Sequence, residues 1–389
     1  MKKTILFLML SESFIFGQKT NLDGLIQIGL TQNRDLTIAL KRIDFQKALL
    51  NTAYEVPKTK FDYALGNIQT PGATDYSISA IQNIDLPKVF KLKKSYNQSL
   101  VKIGESEYGI LENEYKLNVA TFYYNLFYLK KLNHVLETEN LSLAEIEMVY
   151  KKRFEQGETD VIEFANIHLR ILENQMKILK IKTQEQEIES SLKIILNMPN
   201  IPILDFHNAS KSLNQDFSKN AKLEWHQSLV NSSISFLETE KSKLLPSVNL
   251  GVMNQSMLGS WKQLVGMAGF EIPLFAKAQK ARIDASKINI LIQQSEFEKM
   301  NYQIDNEIIT LQNSLQNTEN ELLLINEKLL PESEKLIEIS MKKYLAGQIN
   351  YYDWFLVYTQ SFTYKTELIN LEKVRNIKIS TLKYFTRNE

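Results

Sequence analysis

Two stretches of this 389-residue chain, KRFEQGETDVIEF and KKYLAGQINYYDWF, share one plan half a chain apart. Gly157 answers Gly347, Phe154 answers Tyr344, Asp160 answers Asn350, Glu163 answers Asp353 and Phe164 answers Trp354. A repeat of that period means two copies of one structural unit, and it limits the folds open to the chain more than any composition figure does.

Each copy reads in the same order. Apolar residues at helical spacing (Leu22, Leu25, Ile26, Leu36, Leu40, Ile43) run from about 21 to 55 and stop before Pro57. Residues 221–244 do the same before Pro246. The period then changes to two. Phe61, Tyr63 and Leu65 alternate with Lys60, Asp62 and Ala64, and Tyr76, Ile78, Ala80, Ile84 and Leu86 are set among polar neighbours. Val248, Leu250 and Val252, then Leu264, Gly266, Ala268, Phe270 and Ile272, repeat this. Such alternation predicts half-buried strands, of a length that also suits a membrane β-strand.

Each second strand ends at a proline, Pro87 or Pro273, placed to open a helix. Helical patterns follow over about 88–155 and 276–346, each on the order of 100 Å long at 1.5 Å per residue. Length of that kind requires coiled-coil packing against neighbours, and Pro331 should kink the second helix. Returning helices extend to about 196 and 386. Gly157 and Gly347 then mark left-handed helix stops. Asp160 and Asn350 are N-caps, with Glu163 and Asp353 three residues on as in a capping box. The duplicated motif is the tip of a helical hairpin.

The expected organisation is a signal peptide over 1–17 and a first repeat over 18–205, with strands near 58–68 and 75–86 and a hairpin over 88–196. A second repeat covers 206–389, with strands near 247–256 and 264–273 and a hairpin over 276–386. Lys2, Lys3 and the short apolar run Ile5–Leu10 carry the signal reading. The chain has no cysteine, which removes disulfides and thiolate metal sites. A net charge of +1 argues against nucleic acid. His134, His168, His207 and His226 have no ligand spacing, and no catalytic fingerprint is present, so neither a metal, a cofactor nor an enzyme is expected. Four strands cannot close a membrane barrel, and lipid does not tolerate open sheet edges. If these strands enter a membrane, several copies must pool them in a ring.

The duplicated tips (aromatic-x-x-Gly, then an acid six residues after the glycine), KLLPSVNLGV and GFEIPLFAKAQKARI together resemble the TolC family of outer-membrane efflux channels over essentially the whole mature chain. IPLFAKAQKARIDASKI is similar to the CusC/CzcC-like subset serving heavy-metal cations. The resemblance implies a homotrimer with a 12-stranded barrel in outer-membrane lipid and a helical tunnel in the periplasm. It implies a passive duct for heavy-metal cations or drugs, coupled through a periplasmic adaptor to an inner-membrane pump. The CusC-like lipoprotein type has a cysteine at its mature start, so that lipid anchor is not expected here.

Asp353 falls on the family's tip aspartate, and Glu163 is its counterpart; six such acids in a trimer would ring the inner mouth. A second family acid, three residues after the first, is Leu356 here. Helix capping alone accounts for Glu163 at least as well. The resemblance makes Phe154, Gly157, Glu158, Thr159, Tyr344, Gly347, Gln348 and Ile349 the adaptor-docking tips, against the plain alternative of solvated turns. Lys88, Lys91, Lys93 and Lys94 in one repeat, and Lys277, Lys280, Arg282 and Lys287 in the other, form either a basic collar at the membrane edge or solvated helix faces. Tyr63, Tyr76 and Trp261 are girdle candidates. Two other functions fit the repeats: a periplasmic coiled-coil adaptor or scaffold, and a type I protein-secretion duct.

Overall fold

A computed structural model describes residues 19–66, 72, 74–157, 160–209, 220–257 and 260–385. The expected signal peptide lies outside them. By contacts the chain divides into two units. One comprises Met1–Thr37, Leu111–Lys219 and Ile304–Glu389; the other comprises Ile38–Ile110 and Asn220–Gln303. In chain order the elements are α1 (Leu22–Gln32), α2 (Arg34–Ala48), a 3-10 turn (Leu49–Tyr54), β1 (Lys60–Gly66), β2 (Asp75–Ile84), α3 (Pro87–Glu155) and α4 (Val161–Leu196). The second half gives α5 (Ala221–Ser242), β3 (Ser247–Gln255), β4 (Leu264–Glu271), α6 (Lys277–Leu324), a π-helical turn (Ile325–Leu329), α7 (Leu330–Leu345) and α8 (Tyr351–Phe385).

The unit containing the sheet has the four strands in order β1-β2-β3-β4, all antiparallel. The central β2–β3 pair joins the two repeats. Directly paired residues of an antiparallel sheet share a face, so the register sorts the side chains. One face takes Phe61, Tyr63 and Leu65 of β1, Ile78 and Ala80 of β2, Val248, Leu250 and Val252 of β3, and Leu264, Ala268 and Phe270 of β4. The other takes Asp62, Ser77, Ser79, Asn83, Asn249, Met253, Gln255 and Glu271. One face is therefore mainly apolar, with Gln82 and Asn254 among its residues, and the other mostly polar.

The first 35 residues of the described chain depart from one continuous helix. The ladder breaks at Asn33, whose backbone (ψ 127°) leaves the helical region. Its N–H still bonds to the Gly29 carbonyl, and its Oδ1 accepts the Leu36 N–H at 3.0 Å to open α2. The Asn33 amide also donates to the Ile195 carbonyl at 2.8 Å, so the break is held by α4. At Pro331, which cannot donate a backbone hydrogen bond, the preceding turn widens to π-helical spacing over Ile325–Leu329.

In the other unit, apolar layers hold the long helices. Leu322, Ile325 and Leu371 form one cluster, and Leu315, Ile379 and Leu382 form another. The segment between the repeats is stitched down by polar contacts. Tyr123 donates to the Asp205 carbonyl at 2.6 Å and accepts the His207 N–H at 2.9 Å. Among the described residues, no helix is long and apolar enough to cross a membrane.

Candidate functional site

The helical tip begins with two helix stops. At the first, the Gly157 N–H bonds to the Phe154 carbonyl at 3.0 Å, and Gly157 has φ +74°. At the second, the Gly347 N–H reaches the Tyr344 carbonyl at 2.9 Å, and the Gln348 N–H reaches back to Lys343 at 2.9 Å. Gly347 has φ +71°. Only glycine takes that backbone region without a steric cost. The helices restart as capped structures. Asp160 Oδ1 accepts the Ile162 N–H at 3.2 Å, and Asn350 Oδ1 accepts the Asp353 N–H at 2.8 Å.

Beneath these turns is an aromatic core shared by both hairpins. Tyr150, Ile167, Ile171, Tyr351, Trp354, Tyr358 and Phe362 are all buried. Trp354 is 1% exposed. Its ring lies 5.7 Å from Tyr344 and 5.5 Å from Tyr358, while Tyr150 meets Tyr351 edge-on at 5.5 Å. Offset and edge-to-face geometries of this kind add to simple burial. Arg153 Nη1 donates to the Tyr344 hydroxyl at 3.3 Å, across the hairpins.

The two candidate acids have different surroundings. Asp353 is exposed in the first turn of α8, where its charge complements the helix dipole. Glu163 is half-buried against the aromatic core. Burial first, then the Glu163 charge, push the Tyr351 phenol above its ordinary pKa.

Gly157, Gly347 and Gln348 are exposed, and Phe154 is 42% exposed with its ring stacked on Phe164. Tyr344 is half-buried in the core. Ile349, one of the expected docking-tip residues, is half-buried and packed on the same cluster. Its apolar side chain completes the tip, so its chemistry alone does not signal a partner. Glu158 and Thr159 lie outside the described residues.

One charged pair escaped the sequence reading. Glu139, fully buried in α3, receives Arg170 of α4 through Nε at 2.9 Å and Nη2 at 2.8 Å. Removing one partner of such a pair leaves an uncompensated charge in the helical interface. Among the described residues, no group of three His, Asp or Glu is placed to hold a metal ion.

The sheet is the second element of the site. Its apolar residues are exposed in the single chain: Phe61 at 74%, Leu264 at 74% and Phe270 at 74%. Between this band and the loop end, the Tyr76 ring lies 4.4 Å from Trp261. The Tyr76 hydroxyl donates to Asn254 Oδ1 at 3.2 Å. At the same end, the Ser256 hydroxyl accepts the Tyr76 N–H at 2.9 Å and ties the two hairpins together. The band thus has an amphipathic aromatic edge. Tyr63 is exposed in mid-strand, within the band itself.

No family model matches this sequence, and no curated protein matches it. Solved structures do share its fold. CusC, in structures described as showing conformational changes that accompany folding and transmembrane channel formation, aligns with TM-score 0.81 at 16% identity, over 96% of this chain and 94% of that one. The CmeC outer membrane channel of Campylobacter jejuni aligns with TM-score 0.74 at 15% identity, over 94% and 85%. The MtrE outer membrane channel of Neisseria gonorrhoeae, in its open state, aligns with TM-score 0.75 at 12% identity, over 94% and 88%. At these identities the likeness is one of fold, and it extends over nearly the whole chain.

Proposed function

We propose that this chain is an outer-membrane efflux channel of the TolC family, a passive duct built from three copies. The observation that carries the reading is the sheet: an exposed apolar face, a polar opposite face and two open edges. Lipid accepts the apolar face but not the edges. Because all neighbours are antiparallel, β1 and β4 run in opposite directions, so β4 of one copy can continue antiparallel onto β1 of the next. Closure by three copies gives twelve strands, within the range of membrane barrels.

On this reading the polar sheet face lines the lumen and the helical hairpins enter the periplasm. The exposed Asp353 carboxylates narrow the inner mouth electrostatically, while Glu163 supports the tip from within. The tip surface of Phe154, Gly157, Tyr344, Gly347 and Gln348 docks a periplasmic adaptor, which links the duct to an energised inner-membrane pump. The cargo is heavy-metal cations or drugs.

The native absence of cysteine gives a direct test. Val252→Cys on the apolar face and Met253→Cys on the polar face are labelled with a fluorophore in reconstituted protein. Lipid-borne quenchers should reach the label at 252, and water-borne quenchers the label at 253. Aqueous access to both, with no lipid quenching at 252, would remove the sheet from the membrane.

A further inference from the structure

We infer that the helix-side rim of the sheet carries a binding site for the head group of an anionic glycerophospholipid. The inference rests on the membrane reading above, since it takes the apolar sheet face to lie in lipid. β1 begins at Lys60, β2 ends at Ile84 and α3 begins at Pro87, so the first turns of α3 lie at one end of the sheet. The 3-10 turn reaches the same place, where the Tyr54 ring stacks on Phe90 at 6.2 Å. Between them is an open groove of about 570 Å³, lined by Tyr54, Pro87, Phe90, Lys91, Lys94 and Gln98.

The groove is built for an amphipathic anion. Lys91 and Lys94 are three residues apart on a helix and therefore neighbours on its surface. Lys93 lies on the same turn but is neutralised by Asp85 at 3.0 Å. Lys94 Nζ donates to the Tyr54 oxygen at 3.3 Å, which leaves the phenolic proton free to donate to a ligand oxygen. Lys91, Lys94 and the Tyr54 hydroxyl thus offer two positive charges and a donor to a phosphate in one groove. Val56, 48% exposed between the 3-10 turn and β1, and Phe61, 74% exposed in β1, offer apolar surface to acyl chains.

The second repeat carries the same arrangement in its sequence. Lys277 and Lys280 follow Pro273 at the offsets at which Lys91 and Lys94 follow Pro87. Both are exposed, and beside them Leu274 is 81% and Phe275 98% exposed. Acyl chains at the rim would give this phenylalanine apolar cover. Basic groups at the end of a sheet that carries an exposed apolar face select a lipid over free phosphate. The surplus of positive charge selects an anionic head group over a zwitterionic one.

The test uses the full chain in nanodiscs containing phosphatidylglycerol and phosphatidylcholine, transferred to mild detergent for native mass spectrometry. The wild-type protein should retain phosphatidylglycerol in preference to phosphatidylcholine by a factor on the order of ten. Lys91→Gln with Lys94→Gln should remove most of that preference, whereas Lys335→Gln on α7 should keep it. Tyr54→Phe, which preserves the ring and removes the hydroxyl, should weaken retention severalfold and guards against a misfolded double variant. Millimolar inorganic phosphate should not strip the lipid. Stripping would make this a general anion site and overturn the assignment. Equal retention of the two lipids by inserted wild-type protein would overturn it while leaving the membrane reading intact. Failure of the wild-type protein to enter nanodiscs would overturn both.

Discussion

The glycines at the two tips have a conformational role rather than a packing one. At Gly347 a Cβ would meet nothing within 4 Å, so the residue is required by its φ of +71° and not by crowding. Gly347→Ala should destabilise the tip by about 1 kcal/mol, read as faster amide exchange in the last turn of α7 and the first turn of α8. Unchanged exchange would mean that the turn relaxes to another geometry. Asp353, exposed at the start of α8, has two separable roles. Asp353→Ala should increase the leak of small cations through reconstituted channels. Unaltered conductance, with a loss of only about 0.3–1 kcal/mol of helix stability, would leave the residue a helix-dipole partner alone. Much of this was legible, because glycine and cap residues act locally and their spacing survives in the sequence. Glu139 was not. A carboxylate within a helical pattern reads as solvated, and its burial depends on Arg170 arriving from the next helix in one register.

Among the elements, the strands were legible because the change of period from 3.6 to 2 is abrupt and happens at the same place in both repeats. The break at Asn33 was hidden. Apolar spacing continues across it from Ile26 to Leu36, and the residue that stops α1 also caps α2. Arg34 occupies the first position of α2, where proline is well tolerated. Asn33, at φ −62° and ψ 127°, already has the extended backbone that a following proline demands. Arg34→Pro should therefore raise unfolding stability by about 0.4–1 kcal/mol, through a less disordered unfolded chain. Denaturant melts of the two proteins compare this directly, and a loss of stability would show that the α1–α2 junction is not set as described.

At the scale of the whole molecule, a single chain is an incomplete object in a membrane. Its sheet exposes an apolar face and two edges, and its fold is shared with outer membrane channels over more than nine-tenths of its length. The need for further copies could be argued from the strand count alone, because four strands leave edges that lipid forbids. The tip core could not, since the sequence does not reveal which aromatic residues of two distant hairpins face each other. The deciding measurement is the molar mass of the protein extracted from outer membranes in mild detergent, corrected for bound detergent. A shared barrel gives three chains' mass, unchanged on dilution. A single chain's mass, recovered from the soluble periplasm, would contradict it and leave the repeats as the hairpins of a scaffold.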